Sequence, residues 1–553
     1  MVMGAPTQDD VIWCEGNLFF ISVALRKGRV VDAWSTGRML HNMEYLLGAS
    51  IAGDESFFVQ RPHCLCNAGH ALAATRALEQ LVGIRLPEAA RLVRNIVHGL
   101  QFLLDHLTNF YVFYANDWLS PGAALRATPA KTAAFAGEAN PCLRAGARFY
   151  AAAQERLAAQ AASEGGGWFP GRDGEEPGYA VSPEASLCIL SHVPAALAIR
   201  AKLAQAQKIL QGSLAAVATW HVGGLPKSAG LAPGDNPDLS PAARAACAAL
   251  VGECRRFIED VFWPDVLHVG RAYREWAAIG RTDVLLSWGE FPGPGGGEPL
   301  FPGGVFRLGE AVAVRPAGLS ALAVDQDPDW AAPDRARYRL RFGPGEPAYR
   351  WRGEAFRWFS APRLDGQACE VGPLARVVGA YGQGNALVRS LADAALAALD
   401  LPLAALNSTL GRVLARGLEA VACIRAAGDW LRDLDVCLDR DDAALRVDWE
   451  LPGAGEGVGL AELGRGALAH RLRLRDGRIV EHRALVPSLW NFSPRGGDGS
   501  PGPLERALRS APVADPARPV ELLRIIHTFD PCNACVLRVE DGDTGRVSRT
   551  NAK

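Results

Sequence analysis

The stretch PEAARLVRNIVHGLQFLLDHLTNFYVFYANDW, residues 87–118, is apolar around most of its circumference when it is read as a helix. Pro87 stands where the first turn of a helix tolerates proline, and the spacing then predicts one helix that runs to about Trp118. A helix without a polar face is usually the buried centre of a bundle. The sequence therefore predicts a helical bundle built around this segment.

Further patterns of apolar spacing predict helices on both sides of that segment. They cover His70–Val82, Tyr150–Ala162, Ser186–Gln211, Pro241–Phe262, Asn385–Ala398 and Ser408–Leu434. Near the two ends of the chain, β-rich runs joined by turn residues predict hairpins. These are Leu18–Leu25 with Arg29–Trp34, joined at Lys27-Gly28, and His470–Leu485, with Asp476-Gly477 at its turn. We expect a mainly α fold with small β elements, of the α+β class, in which a large helical bundle forms the core.

No internal repeat is evident along the 553 residues. The stretch 288–349 is rich in glycine, proline and short β-type runs and contains many aromatic residues, which favours an irregular β-containing insertion over a flexible linker. We therefore expect residues 1–538 to form a single large unit.

Charge and hydropathy exclude some classes of function. The chain has 58 Lys and Arg against 60 Asp and Glu, a net charge of -2, so no global positive field favours nucleic acid or an anionic membrane. Asp9 and Asp10 stand where a signal peptide would have basic residues, and no stretch predicts a transmembrane segment. The location of the protein stays open between the cytoplasm and a membrane-associated or periplasmic site reached through a partner.

Twelve cysteines are too few for a disulfide scaffold, and most stand singly in apolar surroundings as small core residues. The exceptions are two pairs, Cys64/Cys66 and Cys532/Cys535. A CxxC such as Cys532/Cys535 can bind one ion through both sulfurs, and His63 with Cys66 has the same i, i+3 spacing. Together these four residues would make an N/S₃ set that suits a soft metal. A structural zinc ion, or no metal, is the alternative.

The sequence around these pairs resembles the large subunit of nickel-iron hydrogenases over nearly the whole chain. QRPHCLCNAGHALAATRALE (60–79) corresponds to the family's RxCGxCxxxH segment. The other matching segments are Glu15-Gly16, the long apolar stretch 92–118, PEASL (183–187) with His192 and VGGL (222–225), SAPRLDGQACEVGPLAR (360–376), GRGALAHRLRLRDGRI (464–479), VPSLWNFSPR (486–495) and DPCNAC (530–535). The resemblance implies the fold of that subunit and a buried centre of nickel and of iron that carries cyanide and carbon monoxide.

The resemblance also implies roles for the cysteine pairs. Cys66 and Cys535 would bridge the two metals and Cys532 would be a terminal nickel ligand, while His63 stands where the family has its fourth cysteine. A neutral imidazole in place of a thiolate removes one negative charge and a soft donor, so nickel becomes harder to oxidise. Cys64, at the family's glycine position, is the alternative source of a fourth ligand.

Around the centre, the resemblance assigns roles to residues that would otherwise be ordinary core or surface side chains. Glu15 matches the proton-exit carboxylate, and Arg465 the guanidinium above the open metal position. Asp105 and Asp530 match the carboxylates that hold that arginine. Ser488 matches a donor to cyanide, and His70 the imidazole beside a bridging sulfur. Glu44 corresponds to a carboxylate of a structural magnesium site, whose usual histidine ligand is Arg538 here.

The function that the resemblance implies is reversible heterolytic cleavage of H₂. It requires an iron–sulfur small subunit, because this chain has too few paired cysteines for an electron path. A maturation protease that removes residues 539–553 and nickel-insertion factors are further expected partners. The replacement at His63 leaves a non-catalytic relative, either an assembly scaffold or an H₂ sensor, as the alternative, and a structural zinc protein as a third hypothesis.

Overall fold

The computed structural model describes most of the chain. The described residues are 18–38, 67–139, 145–162, 178–212, 220–225, 237–309, 311–315, 317, 322–325, 361–440, 444–496, 499–532 and 534–552. The helices in these ranges are α1 Asn67–Val82, α2 Glu88–Leu107, α3 Ala115–Trp118, α4 Pro121–Arg126, α5 Pro129–Ala139, α6 Ala147–Ala162, α7 Pro183–Leu190, α8 Val193–Gln211, α9 Pro241–Phe257, α10 Trp263–Ala272, α11 Pro373–Gly382, α12 Ala386–Leu399, α13 Thr409–Leu438, α14 Pro487–Asn491, α15 Pro503–Leu508 and α16 Val520–Thr528. The strands are β1 Leu18–Arg26, β2 Arg29–Arg38, β3 Leu285–Ser287, β4 Gly304–Leu308, β5 Val312–Arg315, β6 Leu322–Asp325, β7 Ala361–Leu364, β8 Glu370–Val371, β9 Ala454–Leu463, β10 Gly466–Arg475, β11 Arg478–Leu485, β12 Ala534–Asp541 and β13 Val547–Ala552.

Helices α2 and α13 form the centre of the core and pack along each other. Both are buried over most of their circumference, and even polar side chains of α2 such as Asn95 and His98 are inside. The prediction of a mainly α fold around a central buried helix is confirmed. Their buried polar side chains are tolerated because they have partners inside the protein, as Arg94 has in Glu79 and His106 in Glu419.

The central segment is not one helix to Trp118, as the spacing predicts. Helix α2 ends at Leu107, and a π-helical turn follows over Thr108–Phe113. The wider turn directs Tyr111 inward, where its hydroxyl donates to Asp265 Oδ2 at 2.6 Å. The stretch Pro241–Phe262 is interrupted in the same way after Phe257. Apolar periodicity does not reveal either break, because a single π turn is too short to change the helical spacing of the apolar residues along the whole stretch.

The predicted helix over Ser186–Gln211 is also divided, into α7 and α8. The whole stretch Pro183–Gln211 is long and apolar enough to cross a membrane by length and composition, yet half of its most apolar window is buried inside the protein. At the division, His192 Nδ1 lies 2.8 Å from Asp265 Oδ2. Although burial opposes its charged form, this carboxylate raises the pKa of His192 to about 10. Buried core helices also have this length and composition, so the apolar character of Pro183–Gln211 is weak support for a membrane-spanning helix.

Both predicted hairpins are present. The turn residues Lys27, Gly28, Asp476 and Gly477 all have positive φ, between 52° and 68°, as two-residue hairpin turns require. The first hairpin, β1–β2, belongs to a sheet of order β13-β12-β1-β2, in which the C-terminal β12 pairs parallel to β1. Residues near the two ends of the chain are thus neighbours, and Cys535 lies opposite Phe19.

The second hairpin, β10–β11, is extended by β9 to a three-stranded antiparallel sheet that packs on α1. Within the stretch 288–349, β4 and β5 pair with each other, and β4 also pairs with β3. Residues 326–360 lie outside the described ranges, so the bounds of the predicted insertion stay a prediction. The division of the chain at residue 538 also stays a prediction.

Strand β9 contacts α1 closely through glycine. A Cβ atom at Gly459 would lie 1.8 Å from the carbonyl oxygen of Ala73 and 2.4 Å from the amide nitrogen of Ala77. The absence of a side chain therefore sets the distance between the sheet and the helix that begins directly after Cys66.

We predict that Gly459→Ala forces β9 away from α1 and lowers the free energy of unfolding by about 1–3 kcal/mol, the usual cost of overpacking. Thermal unfolding followed by circular dichroism measures the change. Gly453→Ala is the matched control, because a Cβ there would meet nothing within 4 Å. Equal melting temperatures for the two variants would contradict the assignment.

Candidate metal centre

The Cys532/Cys535 pair lies where the chain turns from α16 into β12. Asp530 between them and the helix takes a left-handed conformation, with φ of 53°, which redirects the chain before Pro531. Cys535 is buried at the start of β12, and Cys532 is partly buried. The amide of Cys532 donates to Ser488 Oγ at 3.4 Å, which connects this turn to the first turn of α14. The structure thus brings Ser488 to the cysteine pair, as the sequence predicts.

Arg465 reaches the same place from the turn between β9 and β10. Its Nη2 donates to Asp530 Oδ1 at 3.2 Å, and both side chains are almost fully buried. A second guanidinium, that of Arg416 on α13, has Nη1 at 3.6 Å from Asp530 Oδ2. Burial and the neighbouring Arg465 lower the pKa of Arg416. The structure thus brings Arg465 and Asp530 together, and Arg416 is a partner that sequence reasoning missed.

Asp105 projects from α2 toward the same turn. A Cβ atom at Gly464, the residue before Arg465, would lie 2.6 Å from Asp105 Oδ2. Gln101 Nε2 donates to Asp105 Oδ1 at 3.0 Å. Burial raises the pKa of Asp105, and the positive charge of Arg465 offsets this only in part. Asp105 therefore interacts with Arg465 electrostatically and packs against the backbone of Gly464.

A cavity lies in front of these guanidinium groups, bordered by Arg412, Arg416 and Arg465 together with Asn491. Arg412 donates hydrogen bonds from Nε and Nη2 to the carboxylate of Glu370, at 2.7 and 2.8 Å. Its Nη1 is buried and has no hydrogen-bond partner among the described residues. An unsatisfied donor on Arg412 and the paired Arg465 line one cavity, which fits a bound group with acceptor atoms, while neither cysteine of the turn is among its lining residues.

The described residues include only part of the proposed ligand set. Within them, no three His, Cys, Asp or Glu side chains converge on one point. Glu15, Glu44, His63 and Cys66 lie outside the described residues. The two thiols of Cys532 and Cys535 are the only members of the predicted set whose placement the described ranges give.

His70, in the first turns of α1, belongs to a chain of imidazoles that the sequence reading missed. Its Nδ1 lies 2.9 Å from Nε2 of His470 on β10, whose Nδ1 lies 2.9 Å from Nε2 of His482 on β11. All three rings are buried. The positions in the sequence carry no signal of this contact, because the β10–β11 pairing and the packing of the sheet on α1 create it.

A second missed feature is a buried group of ion pairs behind the arginine turn. Arg376 on α11 donates to Glu419 Oε1 at 2.5 Å, to Glu462 Oε2 at 2.6 Å and to the carbonyl of Leu463 at 2.8 Å. His106 Nε2 lies 2.7 Å from Glu419 Oε2. Burial opposes ionisation of Glu419, but Arg376 and His106 lower its pKa to about 2. Arg376 thereby fixes the backbone that precedes Arg465.

Comparison with known proteins agrees with this arrangement. A family model described as nickel-dependent hydrogenase matches residues 42–538. The chain belongs to the nickel-dependent hydrogenase family. It is 32% identical to the hydrogenase-1 large chain of Escherichia coli K12, over 93% of this chain and 92% of that protein. It is 30% identical to the uptake hydrogenase large subunit of Rhodobacter capsulatus, over 93% of this chain and 91% of that protein.

A solved structure, the Ni-Fe-Se hydrogenase from Desulfovibrio vulgaris Hildenborough in its as-isolated oxidized state, has the same fold, with a TM-score of 0.70 and 24% identity over 93% of this chain and 98% of that chain. The predictions of the family, the fold and a hydrogenase large subunit are confirmed. The family is nickel-dependent, and a large subunit implies a small one as its partner. Nothing in these relatives favours the scaffold, the sensor or the zinc protein.

The Arg376 group generates a prediction about pH. Burial raises the pKa of Glu462 to about 7, and Arg376 offsets it only in part. Between pH 4.5 and about 7, Glu462 is therefore protonated in the folded chain but ionised in the unfolded chain, where its pKa is near 4.5. As the pH rises through this range, this carboxyl lowers the free energy of unfolding.

We expect Glu462→Gln, which cannot ionise, to reduce that fall, measured by urea unfolding at about pH 5 and about pH 8. Glu456→Gln on the same strand is the control, since hydrogen bonding to Arg471 lowers the pKa of Glu456. An unchanged pH dependence in Glu462→Gln would mean that this carboxyl is already ionised in the folded protein at about pH 5.

Proposed function

We propose that this large subunit binds its nickel–iron centre through His63, Cys66, Cys532 and Cys535 and cleaves H₂ reversibly into protons and electrons. The observation that carries the proposal is the buried Arg465–Asp530 pair beside the Cys532/Cys535 turn, next to a cavity with an unsatisfied arginine donor. When bound, the centre supplies the two-electron redox chemistry of the reaction. The protein contributes the ligands, the fixed charges and the proton acceptors.

The side chain of Arg465 is buried and lines the cavity, so it can act on a group bound there. Asp530 Oδ1 accepts from the Nη2 end of its guanidinium, and Asp105 is near enough to interact electrostatically with the same group. A planar, permanently charged donor held in this way does not need to reorganise when charge develops near it. We assign Arg465, Asp105 and Asp530 to the catalytic site on these grounds.

The iron of the proposed centre carries cyanide and carbon monoxide. Arg465 and the hydroxyl of Ser488 are placed around the cysteine turn as donors to such ligands, and a cyanide nitrogen is a good acceptor for both. Glu44 would serve a magnesium ion. At position 538, Arg538 Nη2 lies 3.2 Å from Glu540 Oε2, so this residue forms an ion pair and offers no neutral nitrogen to a metal.

The two products leave by different routes in this proposal. Glu15 accepts the proton, as a carboxylate beside a terminal ligand can do. Electrons pass to an iron–sulfur small subunit, because the described cysteines away from the site are dispersed core residues rather than cluster ligands. The small subunit also decides whether the complex is cytoplasmic or membrane-associated and periplasmic.

Residues 539–553 are, in this proposal, an extension that a maturation protease removes after nickel-insertion factors have loaded the site. Strand β12 continues to Asp541 and β13 pairs with it, opposite Cys535 at Ala552. Cleavage after Arg538 would therefore detach the outer strand from the sheet that carries Cys535. This connection supports a link between the removal of the extension and the state of the site.

We predict equal amounts of nickel and iron in the purified complex, with infrared bands of bound cyanide and carbon monoxide. Cys532→Ala should lose nickel, while Cys437→Ala, a partly buried cysteine outside the site, should retain both metals. Metal analysis and infrared spectroscopy measure this. A complex that contains only zinc, or lacks those bands, would overturn the proposal.

His63→Cys should restore an anionic, strongly donating ligand and shift the nickel redox potential to lower values without changing the fold. Redox titration followed by infrared and electron paramagnetic resonance spectroscopy checks this result, with His221→Cys as the control for adding a thiol elsewhere. The carbonyl of His221 accepts a hydrogen bond from Arg94 of α2, and His221 lies outside the cysteine turn. If His63→Cys changes neither metal content nor spectrum, His63 is not a ligand.

A further inference from the structure

Three imidazoles from different elements form one continuous hydrogen-bonded chain. His70 comes from α1, His470 from β10 and His482 from β11, and consecutive rings are joined by nitrogen–nitrogen distances of 2.9 Å. Their exposed fractions are 2%, 0% and 2%, so water does not compete for these bonds. When the rings are neutral, each contact pairs one N–H with one bare nitrogen. His470 then donates to one neighbour and accepts from the other, so both hydrogen bonds run in the same direction.

The far end of the chain determines that direction. His482 Nδ1 is buried and has no hydrogen-bond partner among the described residues. Burial lowers the pKa of His482 to about 4, so the ring is neutral at neutral pH and carries a single proton. A buried N–H without a partner is rarer in proteins than a buried acceptor without one. The proton of His482 therefore belongs on Nε2, where it has a partner.

The remaining tautomers follow from this. His482 Nε2–H donates to His470 Nδ1, so the proton of a neutral His470 is on Nε2. That N–H donates to His70 Nδ1, so the proton of His70 is on its own Nε2. The opposite direction would leave an N–H of His482 buried without a partner.

We infer that His470 and His482 are positioning residues that fix His70 in the Nε2–H tautomer, so that it offers an N–H donor to the metal-binding segment four residues before it. This inference rests on the proposed function, in which Cys66 is a bridging thiolate beside His70. A hydrogen bond donated to a thiolate withdraws electron density from the metal and raises its redox potential. The two distant histidines would thereby tune a centre that they do not contact.

A matched pair of variants at position 482 tests the direction of the chain. In His482→Gln the side-chain amide can still donate to His470 Nδ1, so the direction is retained. In His482→Glu the carboxylate accepts a hydrogen bond from His470 Nδ1–H, so His470 Nε2 becomes an acceptor and His70 must donate from Nδ1. His70 Nε2 then lacks its proton.

The deciding measurement is nitrogen-15 spectroscopy of the assembled complex labelled at its histidine rings, because protonated and bare ring nitrogens have well-separated shifts. The His70 signals are identified by their loss in His70→Gln. We expect Nε2–H in the unaltered protein and in His482→Gln, and Nδ1–H in His482→Glu. A proton on His70 Nδ1 in the unaltered protein would overturn the inference, even if neither variant assembles.

Infrared spectra and redox titration of the same samples give the effect on the centre. We expect the cyanide and carbon monoxide bands and the potential to shift lower in His482→Glu than in His482→Gln. Because the charge of glutamate lowers the potential by itself, a shift counts as support only together with the change of tautomer; equal bands in the two variants oppose the inference. If the unaltered complex shows no such bands, the proposed function fails, whereas the tautomer result still decides the direction of the chain.

Discussion

The pairing of Asp530 with two buried arginines is the interaction on which the site depends. It joins the cysteine turn to the β9–β10 turn through Arg465 and to the central helix α13 through Arg416. A buried carboxylate is stable only when its charge is compensated, so this pairing constrains three segments that are distant in sequence. The left-handed backbone at Asp530 redirects the chain between α16 and the cysteine turn, and the carboxylate of Asp530 is buried.

A second layer of charges keeps that pairing in place. Arg376 binds Glu419 and Glu462 and also the carbonyl of Leu463, so it connects the central helix with the strand that ends at Arg465. Glu462 in turn accepts the amide of Trp288 at 2.7 Å, which attaches β3 and its neighbours to the same group. The guanidinium of Arg465 is thus held by a backbone that has few other conformations open to it.

The close contact between α1 and the β9–β11 sheet serves both structure and chemistry. Gly459 of β9 lets the strand approach the backbone of α1. The same packing places His470 beside His70, and His482 beside His470. Nδ1 of His482 is buried and has no hydrogen-bond partner among the described residues, and this nitrogen gives the chain a direction. Packing distance and proton position are therefore connected in this part of the protein.

Local patterns predict the fold class, both hairpins and the buried central helix, because periodicity and turn chemistry are properties of short stretches of sequence. The ordered motifs also single out Arg465, Asp530, Ser488 and Cys532, which the structure places around the cysteine turn. The sequence predicted helices that run on to Trp118 and Phe262 and so missed the ends of α2 at Leu107 and α9 at Phe257, where π turns begin. The contacts of Arg416 and Arg376 at the site are visible only in the folded chain. The same holds for the hydrogen bonds that join His482 to His470 and His470 to His70. Those contacts join residues up to 400 positions apart, as His70 and His470 are, and depend on how sheets and helices pack, which no local pattern records.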